Sequence, residues 1–311
     1  MAKAILLRVS YALLSLLALL LLVFVMLRLT GDPINFLLPP EATAAQRAFA
    51  RQELGLDQPL PVQFLIYVQN VLQGDLGMSF RSRIPVQDLI LQRMPATLTM
   101  AGGALVLTVA IGIPLGIYSA YRRGSALDHA ARGFSALGQS IPPFWLGFLL
   151  ILLFAIYFPL LPAGGFGTLA NLILPTITLA CGSIAGLTRL LRSSMIEELN
   201  SDHITFHRLK GLPEPVILWR RALRNAGLTT LSFLGVLTAG LITGSVLVET
   251  IFVWPGLGRL MVESIGFRDF NVVQGVMLFF SAAYIGVNLL VDLLYMVLNP
   301  RLREPSMRTS R

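Results

Sequence analysis

Charge is scarce in this chain. Asp, Glu, Lys and Arg make up only 13% of its 311 residues, whereas hydrophobic residues make up 55%. A soluble globular domain carries about 25% charged residues, so this composition excludes an ordinary soluble domain and is typical of a membrane protein. The single cysteine, Cys181, excludes a disulfide framework within the chain, and we interpret it as a small apolar packing residue.

Several motifs of catalysis and nucleotide binding are also missing. The sequence has no Gly-x-x-x-x-Gly-Lys-Ser/Thr phosphate loop and no Gly-x-Ser-x-Gly elbow. His203 and His207 are four residues apart, but a zinc protease would need Glu after the first histidine, and Ile204 stands there. We therefore predict no catalytic residue, no metal site and no cofactor bound by this chain.

Long apolar runs are what the sequence does have. A crossing needs roughly 20 apolar residues, and the bilayer core offers the backbone no partners, so each crossing must be helical. The sequence predicts an all-α membrane protein with six transmembrane helices at residues 9–27, 97–121, 134–158, 172–191, 228–248 and 272–298. Gly112 and Gly116 are four apart in the second span and predict a close approach of another helix.

The net charge of +8 follows membrane topology and does not indicate nucleic-acid binding. With an even number of spans, both ends lie on one side of the membrane, and that side holds 16 of the 24 basic residues. Basic residues are enriched in cytoplasmic loops, so both termini are predicted to be cytosolic in a multi-pass protein of the cytoplasmic membrane.

This topology divides the chain into three parts. Residues 1–95 hold the first span, which we interpret as retained, and an extracytoplasmic cap segment. Residues 96–299 form a core of five spans that contains a polar cytosolic segment at 200–225. Residues 300–311 are a cytosolic tail.

Two acidic residues and one amide in the spans are candidates for a polar translocation path. Asp292 lies mid-span beside Asn288, and Glu249 closes the fifth span. An ionisable residue at bilayer depth is costly and faces the bundle interior or water. Two interpretations stay open, a lining of the path and a structural partner for a neighbouring polar group; for Glu249 the structural one is favoured.

The segment 200–225 is too polar for hydrocarbon and is rich in helix signals. Ser201 or Asp202 can cap a short helix, Gly211 and Pro213 break it, and Pro215 suits the first turn of a second helix.

The second helix is predicted to be amphipathic and to lie on the membrane surface. Its apolar face is predicted to hold Val216, Trp219 and Leu223. Its opposite face holds basic residues that suit lipid phosphates or an acidic partner: Arg220, Arg221 and Arg224.

Several blocks of the sequence resemble the permease subunits of ABC importers for peptides, nickel and related small solutes. The resemblance covers nearly the whole chain. Its blocks include Leu54-Gly-Leu-Asp-Gln-Pro-Leu-Pro-Val-Gln63, Gly74-Asp-Leu-Gly77, Ile141-Pro-Pro-Phe-Trp-Leu-Gly147, Leu174-Pro-Thr-Ile-Thr-Leu179 and Val248-Glu-Thr-Ile-Phe-Val-Trp-Pro-Gly-Leu-Gly-Arg-Leu260.

The resemblance implies a type I ABC importer permease fold in a bacterial inner membrane. It also implies a heterodimer with a second homologous permease, two cytosolic ATPase subunits that bind ATP and Mg, and an extracytoplasmic solute-binding protein. Membrane lipid is a further partner, and the cargo is a peptide or a similar small solute. ATP hydrolysis is then expected on the partner subunits, and this chain is not an enzyme.

In such permeases the segment before the fifth span carries a coupling helix that seats in an ATPase groove. Five residues match the family pattern there: Asp202, Arg208, Lys210, Gly211 and Leu212. The chain departs from the pattern at Thr205, Phe206 and His207, where small or basic residues are usual. We predict that these eight residues form the ATPase-docking segment.

Other classes remain as alternatives. A secondary transporter driven by an ion gradient is the main one, and it favours several intramembrane ionisable residues and paired repeats. An intramembrane enzyme needs a catalytic pair at matched depth, and none is visible in the sequence. A scaffold without transport activity is the third.

Overall fold

Helices account for nearly all regular structure of this protein. The computed structural model describes residues 2–30, 34, 41–53 and 55–298, and these residues contain no β-strand. The helices are α1 (Ala2–Thr30), α2 (Ala44–Glu53), α3 (Leu60–Leu72), α4 (Val86–Tyr121), α5 (Ala126–Ser140), α6 (Pro143–Ile151), α7 (Leu169–Leu199), α8 (Asp202–Leu209), α9 (Glu214–Val216), α10 (Leu223–Thr243), α11 (Ser245–Ile251), α12 (Leu257–Gly266) and α13 (Phe270–Leu298). π-Helical turns follow α6 at Leu152–Tyr157 and join α9 to α10 at Ile217–Ala222.

Five of the predicted spans correspond to helical stretches that are long and apolar enough to cross a membrane. They lie at Val9–Met26, Val86–Tyr121, Leu169–Leu199, Thr229–Ile251 and Phe270–Val291. The composition therefore predicted the helical class and these five spans correctly.

The third predicted span, 134–158, is bent at Pro142-Pro143, a proline pair from which the sequence predicts a kink. The structure has α5 and α6 there, bent by 104° relative to each other, and the pair counts as a sixth span only if it is taken together. The cause is the Pro142-Pro143 pair. A proline keeps the residue before it extended, and Ile141 and Pro142 have ψ angles of 120° and 136°. Pro143 then starts α6 at a position where proline is tolerated.

The second and fourth spans pack closely, as the small residues predicted. A Cβ atom on Gly112 would lie 3.0 Å from Leu187, and one on Gly116 would lie 3.0 Å from Leu191. α4 and α7 therefore approach each other along a face that tolerates no larger side chain without a shift of these leucines. The predicted close approach is confirmed.

A buried ion pair fastens α5 to α7. Asp128, in the first turn of α5, is 1% exposed and accepts two hydrogen bonds from Arg192, at 2.6 Å from Nε and 2.9 Å from Nη2. The backbone N–H of Gly124 donates to the same carboxylate at 2.9 Å. A bidentate pair of this geometry fixes orientation as well as distance, so α5 is held in one position on α7.

Two apolar clusters mark the two ends of the bundle. One contains Met100, Phe252 and Trp254 with residues of α4, α7, α11 and α13. The other contains Met195, Ile204 and Ile217 with the ends of α4 and α7. The segment 200–225 packs into this second cluster, so it forms one end of the bundle and is not a slack loop.

Candidate functional site

The helix α8 is short, and one buried side chain anchors it. Ile204 is 0% exposed and packs with Met195, Leu199 and Ile217. Ser201 precedes α8 in extended conformation, and Asp202 lies in the first turn, where a negative charge favours the helix dipole. The helix therefore begins at Asp202, where the capping residues Ser201 and Asp202 predicted it.

Polar contacts tie α8 to both neighbouring helices. His203 Nε2 lies 2.7 Å from Glu198 Oε1 at the end of α7. Asn225 of α10 donates to the same glutamate oxygen at 2.8 Å and lies 3.3 Å from His203 Nε2. The Ser201 hydroxyl lies 3.0 Å from His203 Nδ1. These contacts connect α8 to both α7 and α10.

A glycine in the left-handed region ends α8. Gly211 has a φ of +75°, and the space beside it is open, because a Cβ atom added there would meet no other atom within 4 Å. Leu212 N–H donates back to His207 O at 3.3 Å, and Arg208 pairs with Glu214 at 2.9 Å. The helix break predicted at Gly211 therefore favours glycine because of its backbone conformation, and not because a larger side chain would lack space.

The face of α8 opposite Ile204 carries large apolar side chains in the open. Phe206 is 53% exposed and Leu209 is 81% exposed. Lys210 Nζ lies 4.3 Å from the centre of the Phe206 ring, and Thr205 is exposed and donates to Ser201 O at 3.3 Å. The unusual residues Thr205 and Phe206 therefore stand on the surface of the predicted docking segment.

His207 differs from its neighbours because it is half-buried. Its Nδ1 atom is buried without a hydrogen-bond partner among the described residues. Desolvation lowers the pKa of His207, and the nearby charges of Arg221, His203 and Lys210 lower it further. The lowered pKa favours the neutral ring, and the basic residues of the predicted docking segment are Arg208 and Lys210.

The predicted second helix of the segment is only partly right. Its basic residues Arg220, Arg221 and Arg224 are exposed. Ile217, Leu218 and Ala222 are buried against the bundle, whereas Trp219 of the predicted apolar face is 39% exposed, as expected of a residue that faces lipid.

The structure differs from the prediction in the π-helical turn at Ile217–Ala222, where an ordinary helix was expected. The turn runs on into α10, so this stretch is continuous with the helix that carries the span at Thr229–Ile251.

Glu249 lies in a closed cage of hydrogen-bond donors. It is 0% exposed, and its Oε1 accepts from the Thr97 hydroxyl at 2.7 Å and from the Ser245 hydroxyl at 2.9 Å. Its Oε2 accepts from the backbone N–H of Arg259 at 3.0 Å, and Thr97 also accepts from the N–H of Leu257 at 2.8 Å. The carboxyl group thus caps the N-terminus of α12, where negative charge is favoured.

Glycines make room for this carboxyl group. A Cβ on Gly256 would collide with it, and a Cβ on Gly258 would lie 3.0 Å from Oε2 and 2.5 Å from Val246 Cα. Sequence reasoning missed the donors Thr97 and Ser245. The glycine spacing in the block around Gly256 was the available signal, because it permits a close approach of another group.

The other two path candidates are not brought together with Glu249 by any described contact. Asn288 of α13 donates to Tyr284 O at 3.1 Å. The side chain of Asp292 lies outside the described residues. A role of Asn288, Asp292 and Glu249 in a translocation path stays a prediction.

A third buried acid, Asp269, connects the cap to the bundle. Asp269, between α12 and α13, is 2% exposed and accepts from the Ser79 hydroxyl at 2.6 Å and from the N–H groups of Phe80 and Arg81 at 3.2 Å. Arg81 also stacks over the Phe267 ring at 3.5 Å.

We expect Asp269→Ala to release this loop, because hydrogen bonds to a charged acceptor contribute about 1.5–3 kcal/mol each. Trypsin should cut after Arg81 or Arg83 in the purified protein at least about tenfold faster than in the wild type. Asp269→Asn, which keeps one acceptor oxygen, is the matched control and should show a smaller increase. Equal cutting rates in the Ala variant and the wild type would contradict the role of Asp269.

Comparison with known families gives two adjoining matches. Residues 112–304 match the family described as "Binding-protein-dependent transport system inner membrane component", and residues 1–101 match the N-terminal part of such membrane components. Together the matched regions cover both ends of the bundle, including α8 and Glu249.

Curated relatives are similar over most of their length. A probable peptide ABC transporter permease protein of Sinorhizobium fredii is 40% identical over 290 residues, which cover 90% of this chain and 93% of that protein. The dipeptide transport system permease protein of Escherichia coli is 38% identical, over 88% of this chain and 90% of that protein. A glutathione transport system permease protein of Salmonella choleraesuis is 39% identical, over 88% and 90%.

Solved structures share the fold. The MetNI methionine ABC transporter in inward-facing conformations matches with a TM-score of 0.57 at 17% identity, over 68% of this chain and 96% of that chain. The likeness supports the predicted type I ABC importer permease fold. The family match and the curated permease relatives place ATP hydrolysis on partner subunits. The chain therefore belongs to the family of inner-membrane components of binding-protein-dependent transport systems, the multi-pass permease subunits of ABC importers.

Proposed function

We propose that α8 is the part of this permease that docks into an ATPase subunit and transmits its movement to the membrane spans. The observation that carries the proposal is the division of α8 into two faces. Ile204 is buried in the bundle, whereas Phe206 and Leu209 stay exposed beyond it. An exposed apolar patch on a surface outside the lipid favours a protein partner.

The contacts of α8 support a mechanical role. Glu198, His203 and Asn225 connect the ends of α7 and α10 to α8. Closure of the ATPase subunits would move α8. Because α8 cannot slide along the bundle without exposing the buried Ile204, its movement would tilt both spans. The pathway would then alternate between outward and inward access. We assign the rest of the predicted docking segment to the same surface: Asp202, Thr205, His207, Arg208, Lys210, Gly211 and Leu212.

The proposal includes the rest of the assembly. A second homologous permease forms a heterodimer with this chain, two ATPase subunits bind ATP and Mg in the cytosol, and a solute-binding protein delivers cargo from outside. Both termini and the segment 200–225 lie in the cytosol, and the cap within residues 1–95 lies outside.

Within the spans, Asn288 and Asp292 are proposed to line the path, because residues four apart share one face of a helix. For Glu249 we propose the structural role of capping α12, because all of its contacts lie inside the bundle.

The cargo is proposed to be a peptide or a similar small solute, since the curated relatives are named for peptide, dipeptide and glutathione transport. Titration of candidate solutes into the cognate solute-binding protein by calorimetry tests this assignment. Binding of a di- or oligopeptide supports it, and binding of only a metal ion or a sugar contradicts it.

Gly211 offers a direct test of the docking geometry. Gly211→Val forces a β-branched residue into the left-handed region, which costs roughly 1–2 kcal/mol, while no neighbour blocks its side chain. We expect recovery of the ATPase subunit with the permease to fall up to about tenfold. Gly211→Asn is the matched control, because asparagine tolerates this conformation. Unchanged recovery and transport in the Val variant would make the docking assignment wrong.

A further inference from the structure

A groove on α4 has the shape and chemistry of a phospholipid site. It is an open groove of about 510 Å³ lined mostly by apolar and aromatic residues, with Arg122 at the end of α4. The other lining residues are Ala110, Ile111, Pro114, Leu115, Tyr118 and Leu127. The groove lies outside the docking segment and outside the Glu249 cage, and nothing described above uses it.

The sequence explains why α4 has a groove at this position. Pro114 lies inside the helix. A proline there removes one backbone hydrogen bond, and its ring crowds the carbonyl group four residues earlier, which is that of Ala110. Both residues line the groove. From Ala110 to Arg122 the helix rises about 18 Å, which is close to the thickness of one leaflet of the hydrocarbon core. An acyl chain of one leaflet can therefore lie along the groove with its headgroup at Arg122.

The end of the groove carries the signals of the headgroup layer. Tyr118 is 41% exposed and packs edge-on against Trp219, with the ring centres 6.3 Å apart. Trp219 Nε1 lies 3.5 Å from the Tyr118 hydroxyl. Aromatic residues with one polar atom are enriched at this depth of the membrane.

Arg122 supplies a charge that the protein leaves uncompensated. Within the part of the chain that the structure describes, no carboxylate pairs with Arg122, although Arg192 and Arg132 both face Asp128. A guanidinium group binds phosphate oxygens in a planar fork. We propose that this groove binds an anionic phospholipid, with the phosphate at Arg122 and one acyl chain between Ile111 and Leu127.

The test uses the whole transporter, purified with its partner subunits and studied by native mass spectrometry with phosphatidylglycerol or phosphatidylcholine. We expect phosphatidylglycerol to be retained preferentially, and Arg122→Gln to reduce its retention about fivefold. Arg123→Gln, which changes an adjacent exposed arginine outside the groove, should have little effect. Equal retention of both lipids by the wild type, or equal losses in the two variants, would overturn the proposal.

Two further arms separate this lipid from other occupants. Glycerol phosphate added in excess should leave phosphatidylglycerol bound, and its displacement would indicate a site for free phosphate and overturn the lipid assignment. A photoreactive residue in place of Ile111 should react with lipid. A protein adduct with the second permease subunit would show that a subunit covers the groove, and would also overturn the lipid assignment.

Discussion

Replacing Leu209 with aspartate is expected to abolish ATP-dependent transport while the permease itself stays folded. Leu209 is 81% exposed, so the substitution removes no contact from the bundle. In a docked complex the new carboxylate would be buried against the ATPase without a partner, and burial of an unpaired charge costs several kcal/mol. Recovery of the ATPase subunit with the permease should fall by about a hundredfold or more.

Two comparisons make this result specific. Leu209→Ala only removes apolar area and should reduce recovery less, because burial of a leucine side chain contributes about 1.5–3 kcal/mol. Leu72→Asp places the same charge on an equally exposed leucine of the cap, 82% exposed, and should leave ATPase recovery unchanged. If the Leu209→Asp variant recovers as much ATPase subunit as the wild type does, α8 is not part of the docking surface.

Replacing Glu249 with alanine is expected to cause the largest loss of stability. The change leaves the Thr97 hydroxyl and the N–H of Arg259 buried without an acceptor, and each orphaned donor costs about 1–3 kcal/mol. Ser245 loses less, because its hydroxyl also has Ile242 O at 2.9 Å. We expect a loss of about 3 kcal/mol or more, measured as a lower midpoint of detergent-induced unfolding.

Milder variants keep this prediction testable if the alanine variant does not accumulate. Glu249→Gln keeps one acceptor oxygen and should fall between the wild type and the alanine variant. Ser245→Ala should cost about 1 kcal/mol or less, since it removes one of two donors to Oε1. A wild-type unfolding midpoint for Glu249→Ala or Glu249→Gln would contradict the structural role and favour a role in the translocation path.

The sequence predicted those parts of the fold that depend on local chemistry. Five spans follow from hydrophobic length, and the elbow at Gly211 follows from breakers whose effect acts within a few residues. The close contact of Gly112 with Leu187 also follows from residue size, although the partner leucine was not predicted. Proline pairs were recognised as a source of bending, but the 104° angle between α5 and α6 depends on how the two helices pack.

The rest depends on contacts between distant residues or on a change of helical period. Glu249 was a candidate for either role, and its cage could not be predicted because Thr97 lies 152 residues away along the chain. An ordinary helix was predicted where Ile217–Ala222 is π-helical. Periodicity carries no signal for such a turn, because the turn arises where the helix packs against its neighbours.

Site-specific photocrosslinking from position 209 tests the central claim most directly. A photoreactive residue replaces Leu209 on α8 in one sample and Leu160, which is 71% exposed in the turn before α7, in another. In the assembled transporter we predict an adduct with the ATPase subunit from position 209 and none from position 160. An ATPase adduct from position 160, or none from position 209 in a transporter that still hydrolyses ATP and transports, would contradict docking through α8.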